Sequence, residues 1–337
     1  MKSASNNWDI EGDKVGEVGE SAILDLFVSP EPQPWLPVPN GDDAAVLDPK
    51  GARVVLSVDS VLEHQHFKRE WLSPSELGAR SLYVSASDIA AMGAVPKWCL
   101  ISAQIPADLS FAALRNLVTG LKGACELEGV HIIGGNLSKA EVLGLHVTVG
   151  GFLEAQYQAI TREGARVGDS LWVSGQPGRA AAGRWLLDRA YEDSSLSKEL
   201  IAAWRRPEER WSFMSRLRSE AEVHAAIDLS DGLAIDARRM ALASGKSFLL
   251  DLEALDASEL MKQAGEAAGI GPAQWILAGG EDYELLFAAP GPLPQWAMEQ
   301  GARYVGRVEE GEPGLQVVSA GETGTPELFS AGWDPFR

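Results

Sequence analysis

The sequence predicts an α/β (α+β) chain of two domains, and three observations carry that prediction. Its 337 residues exceed the roughly 100–150 of the commonest single core. Apolar runs of strand length alternate with segments of helical spacing. A polar, glycine-bearing connection over 151–169, closing in Arg162-Glu-Gly-Ala-Arg-Val-Gly-Asp169, separates two such series. It places the boundary at residue 155, giving domains 1–155 and 156–337.

Residues 29–40 carry five prolines and read as a stiff extended loop that delivers the chain to Gly41. Residues 54–58, 98–105 and 143–152 are β-branched or apolar runs expected as strands, and 75–92 and 110–128 show helical spacing. In the second domain the pattern predicts strands at 171–174, 225–228, 248–252 and 283–288. Helices are expected at 179–190, in a polar stretch reaching 222, at 233–244 and at 257–268.

Composition limits the partners. There are 29 Lys plus Arg against 48 Asp plus Glu, a formal charge of −19, and such a field repels nucleic acid. A small phosphorylated substrate stays compatible, because a bound divalent cation outweighs local protein charge. The two cysteines, Cys99 and Cys125, form no Cys-x-x-Cys pair, so neither a disulfide framework nor a zinc site is indicated. The first ten residues lack the apolar core of a signal peptide and no segment reaches membrane-span length, so a cytoplasmic protein off the membrane is expected.

The chemistry gathers in short acidic knots at the edges of apolar runs. Gly41-Asp-Asp-Ala44 follows the proline loop, Asp59 ends the run 53–58, and Asp88 interrupts the apolar stretch Leu82-Tyr-Val-Ser-Ala-Ser-Asp-Ile-Ala-Ala-Met92. Asp228-Leu-Ser-Asp-Gly232 stands at a strand-to-helix junction, where exposed N–H groups favour anions. Gly41-Asp-Asp and Asp59, each taken alone, read first as a turn and a helix cap, and the 228–232 knot has an Asp cap relieved by Gly232 as its alternative. A carboxylate inside an apolar helix, however, needs a cation or strong hydrogen bonds, and carboxylate oxygens with phosphate and water are what Mg²⁺ takes. Gly279-Gly-Glu-Asp-Tyr-Glu-Leu285 reads as a substrate cradle or as a hairpin turn. Gly245-Lys-Ser247 is no P-loop, since it follows a helix and precedes a strand.

Taken in order, Gly41-Asp-Asp-Ala-Ala-Val46, Ser57-Val-Asp-Ser60 with His66-Phe67, Ser87-Asp-Ile-Ala-Ala-Met-Gly-Ala94, Gly134-Gly135, Arg162-Glu-Gly-Ala165, Asp228-Leu-Ser-Asp-Gly232, Gly279-Gly-Glu-Asp-Tyr-Glu-Leu285 and Gly332-Trp333 resemble one family. It is that of the thiamine-monophosphate kinases, in the superfamily of aminoimidazole ribonucleotide synthetase. The resemblance implies a two-domain aminoimidazole ribonucleotide synthetase-like fold. The N-terminal domain would contribute strands to a β-barrel shared by a homodimer and would bind ATP and Mg²⁺. The C-terminal α/β domain would complete the ATP and substrate site.

By the same resemblance Asp43, Ser57, Val58 through its backbone carbonyl, Asp59, Asp88, Asn136, Asp228 and Asp231 hold several Mg²⁺ ions. Gly135, Asn136, Arg162 and Ser230 contact ATP, while His66, Glu281 and Trp333 contact thiamine monophosphate. Asp43, Asp88 and Asp231 are the expected catalytic residues. The implied reaction is in-line phosphoryl transfer from ATP to thiamine monophosphate. The acceptor phosphate, with a second pKa of about 6, is already an oxyanion and needs no general base. Alternatives are a silent sensor or carrier of thiamine phosphates, or another ATP-dependent enzyme of the superfamily. Members that work through a cysteine fit less well, because no Cys precedes Cys99 and the C-terminus ends Pro335-Phe-Arg337.

Two positions depart from the family pattern, Asn136 and Arg179, each where the family commonly has Asp. Asn136 offers a neutral oxygen in place of a charged one, so one ion should bind more weakly. An Asn136→Asp variant should reach half-maximal activity at lower Mg²⁺ than the natural chain, and an unchanged Mg²⁺ titration would refute this account of Asn136.

Overall fold

The computed structural model describes residues 8–18, 20–27, 33–36, 47–189, 195–255, 257–319 and 322–324. They form two compact units. One holds the described residues up to Ile89 together with Ala94–Tyr157, and the other holds Ala90–Gly93 and those from Gln158 onward.

The N-terminal unit runs α1 (Val15–Val18), α2 (Glu20–Phe27), β1 (Arg53–Leu62), α3 (Pro74–Ala91), β2 (Val95–Ile105), α4 (Phe111–Glu128), β3 (His131–Lys139) and β4 (Gly144–Leu153). Its sheet has the order β1-β4-β2-β3, so β1 and β3 are the edges. β4 lies antiparallel to both β1 and β2, while β2 and β3 are parallel and joined through α4. Alternation along β1 sends Ser57 and Asp59 to one face and Val54, Leu56 and Val58 to the other, where these three are 40%, 60% and 62% exposed.

Helix α4 is capped at both ends: the Ser110 side chain accepts the Ala113 N–H, and Gly129 closes the helix in the left-handed region at φ 66°. Its apolar face, including Leu114, Leu117 and Leu121, is buried, as are Leu77, Leu82 and Ile89 of α3. The two helices meet backbone to backbone. A Cβ on Gly78 would overlap the carbonyl oxygen of Leu117, and one on Gly120 would overlap that of Ser75. Cys99 and Cys125 are buried free thiols.

The C-terminal unit contains β5 (Ser170–Val173), α5 (Arg179–Asp188), α6 (Ser195–Arg205), α7 (Trp211–Glu220), β6 (Ala225–Asp228), α8 (Leu233–Ser244), β7 (Ser247–Asp251), α9 (Glu259–Ala268), α10 (Pro272–Ala278), β8 (Leu285–Ala289), α11 (Gln295–Glu299), β9 (Arg303–Glu309), β10 (Gly314–Ser319) and β11 (Glu322–Gly324). They build a seven-stranded mixed sheet, β11-β10-β7-β9-β5-β8-β6. Every residue of β6 and β8 is buried, the mark of strands covered on both faces. Gly245 is the left-handed cap of α8 at φ 63°, which accounts for the P-loop-like triplet. Among the described residues no helix is long and apolar enough to cross a membrane.

Most expected elements are present, and the differences have physical reasons. β3 was not expected because glycines disfavour strands; Gly135 is required there, since a Cβ would overlap the carbonyl oxygen of Ile101. α10 begins with Pro272 at its first turn, where a missing N–H is harmless, although the Gly-rich run before it reads as loop. β8 starts at Leu285, later than expected, because Glu281 and Tyr283 have φ of 67° and 52°. The expected proline loop at 29–40 lies largely outside the described residues.

The helix contact yields a paired prediction. Gly78→Ala or Gly120→Ala should destabilise the protein by about 1–3 kcal/mol through overpacking. Gly123→Ala, on the exposed side of α4 with open space around it, should stabilise by about 0.5–1 kcal/mol. Urea unfolding of the three variants checks the contrast, and equal effects at all three positions would rule out the close crossing.

Candidate functional site

Each unit carries its own acidic cluster. In the N-terminal unit, Ser57 Oγ donates to Asp88 Oδ2 at 2.5 Å, joining β1 to α3. Burial, and then the charge of Asp88, pushes the Asp59 carboxyl up to about 7. Two carboxyls and a hydroxyl therefore share one small space. These are hard oxygen donors of the kind Mg²⁺ takes in combination with water and phosphate. Among the described residues no three His, Cys, Asp or Glu side chains stand together as a ready metal centre.

His66 follows β1 in a tight turn, and its Nδ1 accepts the Leu62 N–H at 3.0 Å. The neutral ring then carries its proton on Nε2, a donor suited to a phosphate oxygen. Val58 has its side chain 62% exposed on the opposite face of β1 from Asp59, which leaves only its backbone for any ligand role.

Gly135 and Asn136 are not brought to this cluster within one chain. Asp59 pairs with Val147, Val147 with Ile101, and Ile101 with Gly135. Three strand spacings of ~4.8 Å put about 14 Å between β1 and β3 along that row. Asp43 and Trp333 lie outside the described residues.

In the C-terminal unit β6 and β8 are antiparallel with Asp228 opposite Leu285. The end of one strand therefore lies beside the start of the other, and the knots 228–232 and 279–284 pack together. Glu281 N–H donates to the Ser230 carbonyl at 2.8 Å, Tyr283 N–H to that of Leu229 at 2.9 Å, and Leu229 N–H to that of Glu284 at 2.8 Å. A Cβ on Gly280 would overlap the Ser230 carbonyl oxygen. Gly280 thus lets the 228–232 loop approach the backbone of the 279–284 loop directly.

The knots are braced by side chains that the sequence reading did not single out. Asp236 Oδ2 accepts the Asp231 and Gly232 N–H groups at 3.0 and 3.2 Å, and burial pushes its carboxyl up to about 6. Arg239 donates to both Asp231 and Asp236. Arg210 grips Glu284 through two bonds of 2.6 Å, and Ser174 Oγ donates to the same carboxylate at 2.5 Å. Asp282 accepts Gly178 N–H at 2.6 Å and Ala180 N–H at 3.0 Å at the start of α5. The Arg210, Ser174 and Asp282 pairings leave no local sequence signal, because their partners are distant in the chain, whereas Asp236 and Arg239 lie at helical spacing just after Asp231.

Asp228 is buried, Ser230 and Asp231 are half-buried, and Arg162 is exposed with its carbonyl accepting Ser244 Oγ at 2.9 Å. Arg179 pairs with Glu199 at 2.8 Å. It lines a cavity of about 250 Å³ together with Arg206, Asp282 and Glu284.

Comparison with known proteins adds the family context. Residues 41–153 match the model of the AIR synthase related protein N-terminal domain, and 166–317 match that of its C-terminal domain. A thiamine-monophosphate kinase of Aquifex aeolicus is 35% identical over 302 residues, covering 89% of this chain and 94% of the relative. One of Mycobacterium tuberculosis is 32% identical over 338 residues, covering 100% and 97%. The structure of AaThiL complexed with AMPPCP and TMP superposes with a TM-score of 0.74 at 34% identity, covering 87% of this chain and 90% of that one.

Asp282 generates a pH prediction. Burial pushes its carboxyl from the usual 3.8 up to about 8, against the pull of the Gly178 and Ala180 N–H groups and with the push of the Glu284 and Glu281 charges. A raised folded-state pKa means that the native chain holds this proton more tightly than the unfolded one. The associated stability is complete below the unfolded value of 3.8 and is lost as pH rises through about 8. Asp282→Asn should flatten the decline of the urea midpoint across that window; a slope identical to that of the natural chain would remove the assignment.

Proposed function

Because this chain belongs to the AIR synthase related family and, within it, to the thiamine-monophosphate kinases, we propose that it transfers the γ-phosphoryl group of ATP to thiamine monophosphate. The products are thiamine diphosphate and ADP. The observation that carries the reading is the Asp59–Asp88 pair, two carboxyls crowded around the Ser57 hydroxyl until Asp59 rises to about 7. Such crowding is unfavourable unless a cation is to be held there.

In this reading Ser57, Asp59 and Asp88 of the N-terminal unit hold Mg²⁺, as do Asp228 and Asp231 of the C-terminal unit. Asp43, Asn136 and the Val58 carbonyl complete the ligand set. Bound Mg²⁺ supplies neutralising charge between the two phosphate groups. Gly135, Asn136, Arg162 and Ser230 contact ATP, and His66 offers its Nε2 proton to the acceptor phosphate. Glu281 and Trp333 take the organic part of thiamine monophosphate. No side chain need act as a general base, since the acceptor is an oxyanion above pH about 6; alignment of the two phosphates is the protein's task.

The apolar stripe Val54, Leu56 and Val58 on edge strand β1 supports a homodimer. A second copy covering it, with its β3 carried to this β1, would set Asp59 beside the Gly135-Asn136 segment of that copy. The N-terminal unit is then the dimerisation, ATP and Mg²⁺ domain, and the C-terminal unit supplies the remaining ATP and substrate contacts.

Purified protein incubated with ATP, Mg²⁺ and thiamine monophosphate should release ADP and thiamine diphosphate in equal amounts. Thiamine itself, which lacks the oxyanion, should be a poor acceptor. Asp88→Asn and Asp231→Asn should lower kcat by at least about 10²-fold with the fold intact by circular dichroism. Leu56→Glu should give an inactive monomer in sedimentation. Binding of thiamine monophosphate without ADP release would favour a carrier instead.

A further inference from the structure

Glu281 is held from two helices at once. Its Oε2 accepts Trp204 Nε1–H at 2.9 Å from α6 and Arg184 Nη1–H at 3.2 Å from α5. Trp204 is fully buried, so its indole donor is a fixed point. The Arg184 side chain is 39% exposed and that of Glu281 16%.

The backbone beneath is equally constrained. Glu281 and Tyr283 occupy the left-handed region at φ 67° and 52°, a strained conformation for residues with a side chain. The conformation persists because Asp282 between them is pinned to the first turn of α5 and Glu281 N–H is pinned to Ser230. One helix, α5, therefore holds the loop through the Asp282 carboxyl and the preceding side chain, Glu281, through Arg184.

We propose that Arg184 and Trp204 are positioning residues that preset the Glu281 carboxylate for the organic end of the substrate. This rests on the reading above, in which Glu281 contacts thiamine monophosphate. A carboxylate accepts hydrogen bonds and repels phosphate, so Glu281 addresses the aminopyrimidine and thiazolium part of the molecule. Trp204 fixes its rotamer, and Arg184 sets a cationic donor against the same oxygen. A preset acceptor spares the substrate the entropy of ordering a flexible glutamate. The pair accordingly governs affinity for the acceptor and leaves ATP and the chemical step alone.

The test uses the full-length protein and two readouts. Titration calorimetry with thiamine monophosphate should show Kd raised about tenfold in Arg184→Met and in Trp204→Phe, the scale of one lost hydrogen bond to a charged group. Kd for a non-hydrolysable ATP analogue should stay within about twofold of the natural value. Steady-state kinetics should show the same division, with KM for thiamine monophosphate raised and kcat retained. Arg184→Lys, which keeps a cationic donor, should recover part of the loss. In a Glu281→Gln background, Arg184→Met should add less than it does alone, since the two changes act on one contact. Arg184 is more exposed than Trp204, so its variants separate a binding effect from misfolding at buried Trp204.

If Glu281→Gln leaves the Kd for thiamine monophosphate unchanged, the substrate role of Glu281 is wrong and the proposal falls with it. If Glu281→Gln weakens binding while Arg184→Met does not, or if the two are fully additive, the positioning role alone is overturned and the kinase reading stands.

Discussion

Like charges gathered at strand ends repel, and both units of this protein are organised around making that repulsion tolerable. In the N-terminal unit a serine hydroxyl lies against one member of a carboxyl pair, and the other member retains its proton to about pH 7. In the C-terminal unit, Asp231 shares Arg239 with Asp236, Glu284 is gripped by Arg210, and Asp282 is wrapped by backbone N–H groups. Each device offsets part of the electrostatic penalty. The residual excess of negative charge is what the proposed Mg²⁺ ions would offset in a chain of net charge −19.

The sheet turns this local chemistry into an arrangement. Antiparallel pairing of β6 with β8 brings the Asp228 knot beside the Glu281 loop, so groups assigned to the metal and to the organic part of the substrate share one backbone network. That network needs glycine at 280 for close approach and left-handed backbone at 281 and 283. Strain of this kind survives only where neighbours over-determine it, as the bonds from α5, α6 and the 228–232 knot do here.

The order β1-β4-β2-β3 has the opposite effect, since it separates residues that the motif list groups together. Asp59 and Asn136 sit on the two edge strands of one sheet. Within one chain they are therefore too far apart to share an ion, and the ligand set proposed above rests on the proposed homodimer.

By itself the amino-acid sequence determined the elements with a strong period and the places where charge interrupts them. Helix α4 was legible from its spacing, β6 from its apolar run, and the knots from aspartates beside glycine at the ends of those runs. Periodicity and capping act over a few residues, so they can be read locally. Only the tertiary structure decided which knots adjoin. It joined Asp88 to Ser57, laid Gly280 on Ser230, gave Glu281 its partners Arg184 and Trp204, and set Asn136 a sheet's width from Asp59. Those outcomes depend on strand order and register between distant segments. They follow from burying whole faces and pairing every backbone group of the sheet, a condition that no short stretch of sequence expresses.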